Sequence, residues 1–351
     1  MAGIVQYVAK HSPKQTEIVA EIRGMILSGE YRPGARLPAL AEIQRQFGVS
    51  AVTAQRAMAH LCKDGFVSVK EREATRVVEN PPHLCDFGFI LPTNQHQHFF
   101  IALQAESEKL FTRQQSSQRM TLCREWDWEA RSKLEAKVQS HALAGLIFTI
   151  PPLTFTGSPI LTEPGIPRVT VTGKSTEGIT AVEVQGLLAR GLDYLAARGR
   201  RRVAFICSST LEPESVWREV SAESAARGLA TRRHWVQAVN LDMPEWAHNS
   251  TKVLFDTAPG DLPDALMIMD DNFVPHATAA IAEMGLQVPD DLDVVAHCNF
   301  PYPTPSAVPV KRVGPDMGQL LTTCVDLITR WRRGETVPPT VVLPAWSDDE
   351  L

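Results

Sequence analysis

The stretch FGVSAVTAQRAMAHLCKDG, from Phe47 to Gly65, decides the fold of the front part of this 351-residue chain. Gly48 is a residue type that ends helices, and Ser50 is a type that begins them. After Ser50, apolar residues at helical spacing predict one buried face, formed by Ala54, Ala57, Met58 and Leu61. The opposite face is formed by Ala51, Val52, Gln55 and, more to one side, Arg56. The stretch therefore predicts a short packed helix whose outward face carries one basic residue.

Two further helices precede this helix in the sequence, and a hairpin follows it. The first segment ends at Gly29 and has an apolar stripe at helical spacing, formed by Ile18, Ile22, Met25 and Ile26. ALAEIQRQFG predicts the second helix. FVSVKEREATRVVE predicts two short strands joined by a polar turn at 71–74. This order predicts a winged helix-turn-helix domain over residues 1–80.

The same residues resemble the GntR type of bacterial regulators. The resemblance extends over about 65 residues, and its pattern is specific because many spaced positions agree. The matching residues are Gly29, Pro33, Gly34, Leu37, Pro38, Phe47, Gly48, Val49, Ser50, Thr53, Ala57, Leu61 and Gly65. The resemblance implies that the helix after Ser50 binds operator DNA, with two copies of the chain on a palindromic site.

The outward residues of this helix have the chemistry to read bases. Gln55 can pair with N6 and N7 of adenine, and Ala51 or Val52 can contact a thymine methyl group. At the helix start, Ser50 and Thr53 can bond to a phosphate, which the helix dipole favours. Further candidate DNA contacts in the domain are Arg36, Arg45, Arg56, Lys63, Lys70, Arg72, Thr75 and Arg76.

The sequence departs from the family where the family reads guanine. Regulators of this type often carry arginine at the positions of Ala41, Ala51 and Gln55, and their wing has glycines where this chain has 72–74. Three explanations stay open: an A·T-rich operator, a substitute contact by Arg56, or a loss of DNA affinity. Gln55 and Arg56 can also be ordinary solvated side chains. We expect an A·T-biased site.

Length, charge and composition favour a cytoplasmic protein of two or three structural units. Residues 1–80 carry 11 Lys/Arg and 8 Asp/Glu (net +3), and the remainder carries 24 and 32 (net −8). No apolar run is long enough to span a membrane, and the N-terminus lacks the apolar core of a signal peptide. The six cysteines form no CxxC pair. We therefore expect reduced thiols, no metal site and no cofactor.

Beyond residue 80 the pattern changes to alternating strands and helices. Pro81 and Pro82 predict a stiff, extended linker at 81–85. Nearly continuous apolar strands then alternate with amphipathic helices, as in DFGFILP (86–92), GLIFTIP (145–151), RVAFICSS (202–209), ALMIMDD (265–271) and DLDVVAH (291–297). Such strands are typical of parallel sheets that are covered on both faces. Residues 86–351 are predicted to form an α/β domain with two lobes.

This second part resembles the sugar-sensing domains of lac-repressor-type regulators, which share their fold with periplasmic sugar-binding proteins. The motifs that carry the resemblance are LDYLAARGRRRVAFI (192–206), Asp270-Asp271, Gly285-Leu286 and Val288-Pro289-Asp290-Asp291. The resemblance implies a small effector, a sugar, bound in the crevice between the two lobes. It also implies a homodimer in which effector binding closes the lobes and changes the spacing of the DNA-binding domains.

Candidate effector contacts lie after the apolar strands, where parallel sheets bind ligands. Asp271 can accept two sugar hydroxyls, or it can cap the next helix. Phe99 or Phe100 can stack on a sugar, or pack in the core. Ser208 can bond a ligand or cap a turn. The weaker candidates are Arg218, His297 and Asn299.

One feature counts against the simplest sugar site. The family's Gly-Phe-Asp is replaced here by Ala296-His297-Cys298, which removes a carboxylate. HQH at 96–98 is predicted to be solvated rather than to bind a metal. The alternatives to a sugar-controlled repressor are a DNA-binding regulator without an effector, and a cytoplasmic solute-binding protein whose DNA binding has decayed. An enzyme is not expected, because the sequence has no nucleophile elbow, P-loop or GxGxxG motif.

Overall fold

The structure is a computed structural model, and it describes residues 13–69, 74–92, 97–112, 117–172, 175–256 and 262–350. The helices are α1 (Pro13–Leu27), α2 (Leu40–Phe47), α3 (Ala51–Lys63), α4 (Pro82–Cys85), α5 (His98–Thr112), α6 (Trp128–Gln139), α7 (Pro159–Thr162), α8 (Leu187–Ala197), α9 (Pro213–Ala225), α10 (Trp246–Phe255), α11 (Val274–Glu283) and α12 (Met317–Arg332). In the described ranges, no helix is both long and apolar enough to cross a membrane.

The strands belong to one hairpin and to parallel sheets. They are β1 (Val67–Ser68), β2 (Arg76–Val77), β3 (Asp86–Leu91), β4 (Arg119–Arg124), β5 (Gly145–Phe148), β6 (Arg168–Thr170), β7 (Thr180–Gln185), β8 (Val203–Ser208), β9 (Val236–Val239), β10 (Ala265–Ile268), β11 (Asp293–His297), β12 (Lys311–Gly314), β13 (Thr340–Pro344) and β14 (Trp346–Ser347). The chain divides into two compact units. The first comprises Met1–Leu91, Phe111–Val169 and Asp326–Val337, and the second comprises Pro92–Leu110, Thr170–Val325 and Pro338–Leu351.

The front part of the first unit, which we call the head (residues 13–80), has the predicted fold. Helices α1 to α3 are followed by the antiparallel pair β1–β2, in which Val67 faces Val77. One apolar cluster joins them and includes Ile18, Ile22, Ile26, Ile43, Leu61 and Phe66. Gly48 has φ 59°, a left-handed conformation that lets the chain turn sharply from α2 into α3. The predicted winged helix-turn-helix is confirmed.

The predicted extended linker was wrong for residues 82–85, which form the short helix α4. Pro82 suits the first turn of a helix, because its fixed φ is helical and the missing N–H has no partner there. Pro82, His83 and Cys85 are buried. A fully extended linker would leave these side chains in water, so tertiary packing explains the difference.

The first unit also contains a sheet. We call this sheet, together with α6 and α7, the first lobe. Its strands lie in the order β4-β3-β5-β6, and β3 pairs in parallel with both β4 and β5. The apolar strand predicted at 86–92 is therefore observed as the interior strand β3, and all of its residues are buried. At Gly145 an added Cβ would lie 2.7 Å from Ile328 and 2.9 Å from the carbonyl oxygen of Pro167. Glycine allows this close packing of β5.

The second unit contains a sheet with the strand order β14-β12-β11-β10-β8-β9. All neighbours are parallel except β14, which is antiparallel to β12. Alternate residues of the central strands belong to different apolar clusters: Ile206 and Ile268 to one, Phe205 and Met267 to the other. Because successive side chains point to opposite faces of a strand, both faces of this sheet are covered. The unit also holds the parallel pair β7–β13. The predicted α/β fold with two parallel sheets is confirmed.

Candidate functional site

Helix α3 begins with a capping arrangement. The Ser50 hydroxyl oxygen accepts a hydrogen bond from the Thr53 backbone N–H at 3.2 Å, and the two hydroxyl oxygens are 3.0 Å apart. This cap satisfies one of the free N–H groups of the first helical turn. Both residues lie where an incoming phosphate would meet the positive end of the helix dipole.

The two faces of α3 are as predicted. The inward residues Ala54, Ala57 and Leu61 are completely buried, and Met58 is 5% exposed. On the opposite face the exposed residues are Ala51, Val52, Gln55 and Arg56. Val52 is 55% exposed, although it is apolar. The helix therefore presents a mostly uncharged, partly apolar surface to its surroundings.

The candidate phosphate contacts differ in their exposure and in the hydrogen bonds that they already make. Arg36 is exposed. Arg76 donates from Nη1 to the Gly34 carbonyl at 3.0 Å, which ties the start of β2 to the turn before α2. Arg45 makes a long bond within its own helix, and the Thr75 carbonyl accepts from the Leu37 N–H at 2.9 Å. Lys63 is the last residue of α3, about 20 Å along the axis from its start. Lys70 and Arg72 lie outside the described residues.

In the second unit, polar residues meet at the carboxyl ends of β10 and β11. The two strands are parallel neighbours, so the loops that follow them lie side by side. Asp271 is 1% exposed and Asn299 is completely buried. The Asn299 Nδ2 atom donates to Oδ2 of Asp271 at 2.7 Å. His297 Nδ1 lies 3.8 Å from Oδ1 of the same carboxylate. Three of the sequence candidates are thereby brought together.

His98, the first residue of α5, joins this cluster. Its Nδ1 atom is 3.3 Å from Oδ2 of Asp271, and its backbone N–H donates to Oδ1 of Asn272 at 2.9 Å. Asn272 in turn donates to Asp270 from its backbone N–H and its Nδ2, at 3.0 and 2.7 Å. The prediction that HQH is solvated was therefore wrong for His98, while His96 lies outside the described residues. No local sequence pattern predicts that Asn272 holds the first residue of α5 beside Asp271.

The electrostatics keep the central carboxylate ionised. Burial alone would raise the pKa of Asp271, but the contacts with His297 and His98 outweigh it and hold that pKa well below its usual range. Burial would lower the pKa of His297, but Asp271 and Asp270 outweigh it and raise that pKa. Burial raises the pKa of Asp270. The outcome is a buried carboxylate that stays ionised beside two imidazoles.

Hydrogen-bonding capacity remains in this cluster. The two histidine contacts to Asp271, at 3.3 and 3.8 Å, are close enough for charge attraction, but neither is a regular hydrogen bond. Within the described part of the chain, His98 Nδ1, His297 Nδ1 and Asn299 Oδ1 are buried and have no aligned hydrogen-bond partner. Such groups are costly when unpaired, so the cluster keeps the capacity to bond a further polar group.

The structure shows whether Asp271 and Ser208 have the capping roles considered for them. Residue Phe273 occupies the N-cap position of α11, and no side chain caps that helix, so Asp271 is not its cap. Ser208 bonds to the Thr210 hydroxyl at 2.8 Å and accepts from the Thr210 N–H at 3.2 Å. It therefore caps a turn.

The remaining effector candidates are Phe99, Phe100 and Arg218. Phe99 and Phe100 follow His98 on α5, are half-buried, and meet edge to face with ring centroids 5.3 Å apart. Partial exposure leaves ring surface that a ligand can contact. Arg218 is exposed on α9 and donates to the Glu214 carbonyl one turn earlier at 3.3 Å.

Two family models match separate parts of the chain. The model described as bacterial regulatory proteins of the gntR family matches residues 14–77. The model described as a periplasmic binding protein-like domain matches residues 192–347. The first match contains the whole of α3, and the second contains Asp271, His297 and Asn299.

Among curated proteins, the mannosyl-D-glycerate transport/metabolism system repressor MngR of Escherichia coli (strain K12) is 35% identical over 69 residues, which is 20% of this chain. The match spans 29% of the length of that relative. The similarity therefore concerns one segment of each protein.

Similar solved structures have the fold of the second part. A regulatory protein of the LacI family from Chloroflexus aggregans has a TM-score of 0.58 and 17% identity, covering 75% of this chain and 96% of that one. A periplasmic binding protein/LacI transcriptional regulator from Alkaliphilus metalliredigens QYMF, complexed with D-xylulofuranose, has a TM-score of 0.53 and 17% identity, with the same coverage of 75% and 96%. At such low identity the likeness concerns the fold.

Proposed function

We propose, from the premise that this chain joins a GntR-family domain to a periplasmic-binding-protein-like domain, that it is a DNA-binding transcriptional regulator. The observation that carries the proposal is α3: a Ser50-capped helix, packed through Ala54 and Ala57, with Gln55 and Arg56 exposed on its outer face. We propose that the regulator is a repressor that acts in the cytoplasm as a homodimer. Its operator would then consist of two related half-sites.

The chemistry of α3 supports an A·T-biased operator. Exposed Val52 and Ala51 suit thymine methyl groups, and Gln55 suits adenine. Arg56 is the basic residue among the four outward positions, so phosphate contacts from Arg36 and the wing would supply much of the affinity.

We further propose that the cluster around Asp271 binds a small hydroxyl-rich effector, a sugar. An ionised carboxylate can accept from hydroxyls, and the imidazoles and the Asn299 side chain supply the remaining partners. Because Asp271 is 1% exposed and Asn299 is completely buried, an effector would have to open the cluster to reach them. Phe99 and Phe100 offer aromatic surface at the start of the same helix as His98. The complex of the Alkaliphilus regulator with D-xylulofuranose supports this class of ligand. The effector would change DNA affinity by binding one conformation of the regulator more tightly than another.

Two alternatives remain and predict different results. A regulator without an effector would bind DNA and ignore sugars. A cytoplasmic solute-binding protein would bind a sugar and have no affinity for operator DNA. The carboxylate lost at the position of Cys298 favours the first alternative, and the missing recognition arginines favour the second.

Fluorescence anisotropy with duplex DNA from the promoter region beside its own gene tests the DNA proposal. We expect binding that Gln55→Ala and Arg56→Ala both weaken. Arg218→Ala is the matched control, because Arg218 is an exposed arginine of the second unit and should leave binding unchanged. Equal anisotropy with and without the wild-type protein at low salt would contradict the proposal.

Calorimetric titration with a panel of monosaccharides tests the effector proposal. We expect heat of binding for at least one sugar, and its loss in Asp271→Asn. Asp242→Asn is the control, since Asp242 is an exposed aspartate of the same unit. Binding that survives Asp271→Asn unchanged would place the effector elsewhere.

A further inference from the structure

The head is packed against the first lobe through a small buried surface. Ala142, in the turn between α6 and β5, is 3% exposed. It belongs to the same apolar cluster as Leu61 and Phe66 of the head. A residue of the lobe therefore completes the core of the head. A freely tethered head would leave that part of its core in water.

Helix α4 provides the second part of this contact. His83 is 5% exposed, and its ring stacks on Phe66 with centroids 5.8 Å apart and an interplanar angle of 17°. Phe66 is completely buried, and the Arg23 guanidinium lies 5.5 Å from its ring centroid. The imidazole of His83 thus serves as an aromatic packing surface between α4 and the head.

The charges around His83 oppose its protonation. Its Nδ1 atom is buried and has no hydrogen-bond partner among the described residues. Arg332 and His141 are the charged groups that act on it directly. Arg332 is fixed by bonds to the carbonyls of Leu143, Ala144 and Gly165, at 2.8, 2.7 and 3.1 Å.

Carboxylates at the contact are already engaged with other groups. Asp64 bonds to Arg23 and lies 3.5 Å from His60, Asp86 bonds to Lys137 at 2.8 Å, and Glu163 lies 3.3 Å from His141. A proton on His83 would therefore create a buried cation that faces other cations.

We propose that this contact docks the head on the first lobe while His83 is neutral, and that protonation of His83 releases the head. The docked head has a fixed orientation on the lobe, and the released head is held only by the chain at 81–85. The contact itself does not rest on the proposed DNA binding. Its consequence does: releasing the heads would weaken operator binding, because each head must then be ordered again on the DNA.

The sign and size of the effect follow from linkage. Burial, and then Arg332 and His141, lower the pKa of His83 from 6.5 to about 4 in the docked state. In the released head the ring is in water and titrates near its ordinary value of about 6.5. Between these values the released state binds a proton and the docked state does not. Docking is therefore intact above pH 6.5, and its equilibrium constant falls about tenfold between pH 7.5 and pH 5.5.

Hydrogen–deuterium exchange of the full chain tests this without DNA. The readout is the protection factor of amides at 79–86 and 140–144, corrected for the intrinsic rate at each pH. We expect these segments to lose about tenfold in protection from pH 7.5 to pH 5.5. Small-angle scattering of the same samples should show a larger radius of gyration at the lower pH.

Variants assign the response to His83. His83→Phe keeps an aromatic ring and cannot take a proton, so both readouts should stay constant with pH. His141→Asn is the matched control: it removes the other imidazole, and asparagine tolerates the φ of 52° found there. It should keep the pH response. Ala142→Arg places a charge in the head core and should release the head at both pH values.

Three results would overturn the proposal. The first is equal protection and radius of wild type at pH 7.5 and 5.5. The second is a pH response in His83→Phe that matches wild type, or a response lost in His141→Asn instead. The third is exchange of 79–86 at unprotected rates at pH 7.5, since no docked head would then exist. If His83→Phe does not fold, unchanged protection of wild type between the two pH values, or a response lost in His141→Asn, still overturns the proposal. All of these results are independent of whether the protein binds DNA or a sugar.

Discussion

The Nδ2 atom of Asn299 donates a 2.7 Å hydrogen bond to Oδ2 of Asp271, and both side chains are almost completely buried. The bond joins the loops after two neighbouring parallel strands. It also neutralises part of the cost of burying a carboxylate, because a hydrogen bond to the charged form stabilises it. The same pair thus holds the sheet end together and forms the centre of the proposed effector site.

Removing the donor of this pair should destabilise the protein. In Asn299→Ala the Asp271 carboxylate loses its best-aligned partner, and an unsatisfied buried acceptor costs about 1–3 kcal/mol. Urea unfolding measures the change. Asn249→Ala, at an exposed position on α10, should change the free energy of unfolding by less than about 0.5 kcal/mol. Equal effects of the two variants would show that the Asn299–Asp271 bond contributes nothing.

His297 should make stability depend on pH on the alkaline side. Its pKa is raised in the folded protein, because Asp271 and Asp270 outweigh the effect of burial. The stabilisation is fully present below the ordinary pKa of about 6.5 and is lost as pH rises through the raised folded value. Wild type should therefore lose thermal stability as pH increases above 6.5, and His297→Gln should lose less. Parallel curves of Tm against pH for the two proteins would contradict the assignment.

The sequence predicts elements whose determinants are local. The stripe of Ala54, Ala57 and Leu61 identifies α3, because helical periodicity depends only on neighbours along the chain. The central strands β3, β8, β10 and β11 were predicted from their continuous apolar runs for the same reason. Edge strand β4 was not, because Arg119 and Arg124 at its ends and its partly exposed middle give no clear pattern.

Features that depend on distant residues were not predictable. His98 joins Asp271 only because Asn272, far along the chain, accepts its N–H. Two prolines indicated an extended linker where helix α4 forms. The His83 ring of this helix stacks on Phe66 of the head, a contact that the local sequence does not show. Of the effector candidates, Asp271, His297 and Asn299 meet, since they follow adjacent strands, whereas Arg218 bonds within its own helix.

Enlargement should destabilise the protein at one alanine of α3 and not at another. Ala57 is completely buried against the head core, so Ala57→Leu should cost about 1–3 kcal/mol through overpacking. Ala51 is exposed on the outward face, so Ala51→Leu should leave the free energy of unfolding nearly unchanged. If that face meets DNA, Ala51→Leu should still weaken operator binding. Thermal unfolding and anisotropy on the same preparations distinguish the two effects.

Gln55 and Arg56 should contribute to DNA binding in different ways. Gln55→Ala should cost about 1–3 kcal/mol on an A·T-rich site and little on a G·C-rich site, because amide pairing with adenine is base-specific. Arg56→Ala should weaken both sites alike and reduce the slope of log affinity against log salt by about 1, as expected for one lost phosphate contact. Anisotropy titrations at several salt concentrations, with both duplexes, measure this. A base preference lost in Arg56→Ala and kept in Gln55→Ala would reverse the assignment, because Arg56 would then read guanine from the neighbouring position.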